Sequence, residues 1–276
     1  MMRALALIAA LALAAASAGA MAAEPVPNPC EAPDDTAGVA SALPHVMAAL
    51  KPGSTLNVLA IGSASMFGPE TTLLPGSVTS QAVEGASTTS IPPAQRLLRP
   101  ASDAAFPQQM ARALEAAMPG AKVEITIQGG RGLTAFDQLG LLDESLAKSK
   151  YELVLWQTGT VEAVRNLPPA EFATTLAEGA AHVEQAGADL ILIDAQFSRF
   201  LQTNSNIEPY EQAFQQLSSV PGVALFHRFD LMRAWVAEGR IDLERTPKPD
   251  RHRAVEQLHA CLGDQLAKVV LSGLHP

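Results

Sequence analysis

Two serines and a histidine are the residues of this chain best suited to covalent chemistry. Ser63 and Ser65 flank Ala64 just after the apolar run 57–62 (NVLAIG), and either hydroxyl could attack an acyl carbon if a base lay beside it. His252 stands two residues after Asp250 in Pro249-Asp250-Arg251-His252-Arg253, where a local bulge would set an imidazole next to a carboxylate. Gly129-Gly130-Arg131-Gly132 resembles a phosphate loop only in outline. It lacks the Lys-Ser/Thr ending and the full dinucleotide fingerprint, so it reads as a turn. His227 ends an apolar run beside Arg228 and reads as a rim or packing residue. His45, His182, His259 and His275 lie on helix faces or in the tail, without acidic or cysteine companions at ligand spacing. No metal and no cofactor are expected.

These residues need a scaffold, and the hydrophobic pattern describes one. Short apolar runs of the buried-strand kind occur at 57–62, 122–128, 151–157, 189–195 and 222–227. Helical periodicity fills the gaps at 103–118, 134–149, 169–186 and 207–218, and continues at 229–238 and 254–271. A further helix is expected over 37–50, ending at Lys51-Pro52-Gly53. Strands alternating with helices imply a parallel sheet covered on both faces. The expected fold is therefore α/β, a three-layer α/β/α sandwich on a five-stranded parallel, doubly wound, flavodoxin-like sheet. Ligands of such sheets bind beyond the carboxyl ends of the strands. That directs attention to 62–66, 128–132, 158–162, 195–200 and the loop before the last helix. Residues 67–102, rich in Gly, Pro, Ser and Thr, form an insertion after the first strand, either a surface loop or a lid.

The ends of the chain speak to compartment. Met1-Met2-Arg3, the apolar stretch 4–16 and the small residues at Ala18-Gly19-Ala20 and Ala20-Met21-Ala22 make 1–23 a signal peptide. The apolar stretch is too short to span a bilayer comfortably, so no membrane insertion is expected after cleavage, and the destination is periplasmic or secreted. Residues 24–54 form an N-terminal leader and helix, and 55–273 the main domain. Removing Arg3 leaves 18 basic against 28 acidic residues, a net charge of −10, which argues against nucleic acid as a partner. Cys30 and Cys261 are the only cysteines. In an exported chain they invite a disulfide closing a very long loop; two inert buried thiols are the other reading.

At its strand ends the chain resembles the SGNH (GDSL-type) hydrolases, over nearly all of residues 55–272. Residues 58–65 (VLAIGSAS) are similar to the G-S-S-S first block of an exported bacterial subgroup akin to carbohydrate and acyl esterases. Residues 125–130 (ITIQGG), 155–160 (LWQTGT), 190–196 (LILIDAQ) and 229–235 (FDLMRAW) follow in family order, and 249–262 match the final block. The resemblance implies a serine nucleophile, an Asp-x-x-His pair, and an oxyanion site made by a glycine N–H and an asparagine amide. Laid on this sequence, the nucleophile position is Ala64 and the oxyanion glycine is Gly130. The oxyanion asparagine position is Val161, the orienting aspartate is Asp250, and the base position is Arg253. Alanine cannot attack, valine cannot donate, and arginine stays charged. Loss of a nucleophile or base in a serine hydrolase costs on the order of 10⁶ in turnover.

The resemblance thus implies a catalytically impaired envelope protein. It would hold a small molecule or glycan, such as an acylated sugar or polysaccharide, or a cell-envelope protein partner, in the former active site. The alternative is an active acyl or acetyl esterase using Ser65 or Ser63 with His252. Glu162, at the family's acidic position, is expected to pair with Arg131.

Overall fold

The computed structural model describes residues 28–33, 36–39, 41–72, 95–96 and 101–274. The signal peptide expected at 1–23 and most of the 67–102 insertion lie outside the described residues.

The chain begins with β1 (Gly38–Val39) and α1 (Pro44–Ala49), followed by β2 (Thr55–Ser63), α2 (Pro69–Thr72), β3 (Gln95–Arg96) and α3 (Phe106–Ala117). Next come β4 (Lys122–Arg131), α4 (Ala135–Lys148), β5 (Leu153–Gln157), α5 (Thr160–Arg165), α6 (Pro169–Gln185) and β6 (Asp189–Ile193). The remainder is α7 (Arg199–Asn204), α8 (Glu208–Leu217), β7 (Val223–Phe226), α9 (Arg228–Ala237) and α10 (Arg251–Ser272). The sheet order is β1-β7-β6-β5-β2-β4-β3. Its inner five strands are parallel and run β4-β2-β5-β6-β7, the doubly wound order expected of a flavodoxin-like sheet.

The burial pattern explains that order. Every residue of β5, β6 and β7 is buried, as helices on both faces require. β4 alternates instead over its first residues, because α3 covers one of its faces more fully than any helix covers the other. The helix α3 packs on α10, while α4, α6 and α8 pack in a row. Close approach of α6 depends on Gly179, where a Cβ would collide with the ring of the buried Trp156.

The helix expected over 37–50 is shorter than the periodicity suggested. Pro44 fixes the first helical position, and the residue before a proline is held out of the helical region. Gly38 and Val39 instead form β1, antiparallel to Phe226 and Leu225 of β7.

The two cysteines do form a disulfide. Cys30 and Cys261 are bonded, with their Cα atoms 4.6 Å apart, and tie the leader to α10. Further hydrogen bonds hold the leader down: Trp235 Nε1 donates to the Glu31 carbonyl at 2.9 Å, and Arg240 Nη1 to the Asn28 carbonyl at 2.8 Å.

Candidate active site

The strand ends place the family's catalytic positions as follows. Ser63 closes β2, and Ala64 opens a 3₁₀ turn over Ala64–Phe67 with its side chain buried. Gly130 lies within β4, in register with Ser63 on one side and with Arg96 on the other. Its neighbour Gly129 has φ +149°, and a Cβ there would strike the Gly62 carbonyl, so β4 requires glycine where it passes the end of β2. Val161 sits in the first turn of α5, after Gly159 at φ 88°.

The two serines flanking Ala64 are tied into a polar network. Their hydroxyls are 3.0 Å apart, and they approach Gln157 Oε1 at 3.1 Å (Ser63) and 3.2 Å (Ser65). Arg228 Nη2 donates to Ser65 Oγ at 3.4 Å and, more tightly, to Gln196 Oε1 at 2.9 Å. Arg228 is only 1% exposed, and its guanidinium carbon lies 5.7 Å from the Phe106 ring centre. Burial pulls its pKa down to about 10, against the attraction of Asp194, so it remains a cation at neutral pH.

His259, also fully buried, completes this group. Its Nδ1 accepts the Phe106 N–H at 3.1 Å and so caps α3, whose preceding residue Ala105 offers no side-chain cap. Burial, assisted by the nearby Arg228 charge, pushes the imidazole pKa down to about 3. It is neutral, engaged as an acceptor, and far too weak a base to serve at neutral pH.

The final block does not assemble a pair beside the serines. α10 starts at Arg251, so residues 251–253 are regular helix and carry no bulge. Two residues along a helix turn a side chain through roughly 200°, which sends His252 away from Asp250. His252 is 57% exposed and faces Glu256 at 3.6 Å, while Asp250 accepts from Arg253 Nη2 at 2.6 Å. Among the described residues, neither Ser63 nor Ser65 bonds to a histidine.

The expected Glu162–Arg131 pair is also absent among the described residues. The Glu162 carboxylate bonds the Ala135 N–H and, at 3.0 Å, the Gly159 N–H. It thus ties the starts of α4 and α5 together, and burial raises its pKa. Beside it, between α4 and α6, a cavity of about 510 Å³ is lined by Thr134, Phe136, Glu162, Phe172 and Glu178 among others. Phe136 projects there with 74% of its surface exposed.

Gln157, Gln196, Arg228 and His259 were not apparent as site residues from sequence. Three of them stand at strand ends, at the last residue of β5, three residues past β6 and two past β7, which is the signal that could have found them. His259, on the interior face of α10, gave none.

A parallel sheet of this order, with a serine-bearing turn after β2, its first parallel strand, matches the SGNH-type hydrolase and esterase fold. Residues 29–276 match the model of the non-GDSL lipase-like family, and the chain belongs to that family. Three solved structures share the fold. TesA superposes with a TM-score of 0.51 at 18% identity, covering 77% of this chain and 99% of that one. A two-domain esterase active on acetylated mannans gives 0.57 at 12% identity, with 88% of this chain on 56% of that one. Axe2, an acetylxylan esterase from Geobacillus stearothermophilus, gives 0.53 at 13% identity, covering 80% and 95%. No curated protein matches the chain in sequence.

Proposed function

We propose that this is an exported, catalytically impaired SGNH-like protein that holds an acylated sugar or polysaccharide at the carboxyl ends of its strands. The network around Ala64 carries this reading. Where ester cleavage needs a nucleophile and a base in contact, there is a buried methyl group, two serines bonded to Gln157, and a buried arginine. An arginine cannot accept the proton a nucleophilic serine must lose. Gly130 remains, but its backbone lies between two paired strands.

The cavity beside α5 supports a carbohydrate ligand. Exposed Phe136 offers an apolar face for a sugar ring, with Glu162, Glu178 and Thr134 as polar companions. Two relatives in fold act on acetylated mannans or acetylxylan, which suggests the ligand class. A cell-envelope protein docking on the same face is the other occupant of this reading. The signal sequence at 1–23 supports a periplasmic or secreted location, which fractionation of cells expressing the full chain would test.

The decisive assay incubates the purified protein with p-nitrophenyl acetate and with acetylated xylo- and manno-oligosaccharides. Hydrolysis stays at the blank rate, while titration with the oligosaccharides gives saturable binding that Phe136→Ala weakens. Turnover abolished by Ser65→Ala or Ser63→Ala, and by His252→Ala, would instead establish an active esterase.

A further inference from the structure

A second polar cluster lies at the ends of β6 and β7, within electrostatic reach of Arg228. Asp194 follows β6 directly and His227 follows β7 directly, while Glu211 reaches them from α8. One ligand atom from each of the three lies within 4.8 Å of the others, the one such convergence among the described residues. Asp194 is 1% exposed, and its Oδ1 accepts the Phe229 N–H at 2.7 Å in the first turn of α9. Its other oxygen, Oδ2, points into the cluster with no hydrogen-bond partner, and the same holds for Glu211 Oε1 and His227 Nδ1. Buried polar atoms are nearly always satisfied, so three that face one another without a hydrogen bond of normal length call for a shared partner, a proton or a cation.

We propose that Asp194, Glu211 and His227 bind a divalent first-row transition-metal ion, zinc foremost. An imidazole nitrogen with two carboxylates is a borderline donor set, better suited to zinc or manganese than to calcium or magnesium. Donors about 2.1 Å from a tetrahedral zinc sit roughly 3.4 Å from one another. His227 Nδ1 and Asp194 Oδ2 already stand 3.6 Å apart, longer than a hydrogen bond and close to that spacing. The cation would satisfy all three orphaned atoms and balance two neighbouring carboxylates. It would also fasten α8 to the ends of β6 and β7. The three ligands come from separate segments of the chain, so no ligand spacing announces them. The site is independent of whether ester cleavage survives.

The test uses untagged full-length protein, stripped with EDTA, dialysed and titrated calorimetrically with ZnCl₂ and with MnCl₂. One equivalent binds, and the melting temperature rises with the bound metal. Loss of an outer-shell partner alone typically lowers metal affinity by 10–100-fold, so removing a ligand with Glu211→Gln or His227→Gln should weaken binding at least about tenfold. Asp194 is left in place because it also caps α9. The variant His182→Gln removes a surface histidine that contacts Asp143, and binds as wild type does. Circular dichroism confirms that each variant is folded. Failure of the folded wild-type protein to bind either ion at millimolar concentration would overturn the assignment. So would binding that survives unchanged in both Glu211→Gln and His227→Gln.

Discussion

The buried His259 makes acid lability of this fold calculable. An imidazole in the unfolded chain titrates near its ordinary value of about 6.5, while burial beside Arg228 holds the folded one down to about 3. Between these values the unfolded state carries the extra proton, so stability falls as the pH drops through the unfolded pKa. At pH 5, about 1.5 units below that value, the loss is ~2 kcal/mol at 1.36 kcal/mol per unit, relative to neutral pH. It grows to ~4 kcal/mol near pH 3, where the folded imidazole begins to titrate too. Protonation in the folded state would take the acceptor from the Phe106 N–H and set a second cation near Arg228. The carboxyls of Glu162 and Asp189, raised by burial, act in the opposite direction and favour the folded state as pH falls. A comparison that cancels them is therefore needed. His259→Gln keeps a hydrogen-bond acceptor and removes the titration. Urea midpoints of wild type and variant at pH 7 and pH 5 give four stabilities. Whatever the substitution costs in packing, the wild type should lose ~2 kcal/mol more than the variant on acidification. Parallel losses, equal within about 0.5 kcal/mol, would mean that the folded imidazole titrates normally and that the buried, neutral His259 is wrong.

Two further outcomes are expected. Ala64→Ser alone stays at the blank rate against aryl acetates, because no base stands beside the serine network; adding Val161→Asn and Arg253→His leaves it there, because position 253 is exposed and turned to Asp250, and hydrolysis by the triple variant would refute this. The Cys30–Cys261 bond closes a loop of 231 residues' separation, for which chain entropy gives a contribution of about 5 kcal/mol. Cys30→Ala/Cys261→Ala should therefore melt roughly 10–20 °C lower by calorimetry, and an unchanged melting temperature would show that the leader adds nothing.

The fold was legible in the sequence because it rests on local signals. Residues 153–156, 190–193 and 223–226 are unbroken apolar runs, and such runs are what a parallel strand buried on both faces requires. Helix starts at Pro169 and at Thr134, a capping-box residue whose side chain accepts from Asp137, are written in single residues. What escaped was short or non-local. β1 and β3 have two residues each and no periodicity, and depend on the strand they meet. The 251–253 segment read as a loop because it is polar, yet it is the exposed first turn of α10.

The site divides along the same line. Ala64, Val161 and Arg253 are visible as departures because each falls in a block whose neighbours keep the family's order. Their replacements are not visible, since Arg228, Gln157 and Gln196 meet only after four strands have folded. That difference bears on the proposed impairment of catalysis. A serine removed from an otherwise intact site would leave a cavity and an idle histidine. Here both serines beside Ala64 bond Gln157, Ser65 also accepts from the buried Arg228, and the buried histidine caps α3. The polar groups at the strand ends hold the ends of β2, β5 and β6 and the start of α9 against one another, and His259 holds α10 to α3. The substitution Ala64→Ser would add a hydroxyl beside a network that already has structural work and holds no base, which is why restoring the nucleophile does not restore cleavage.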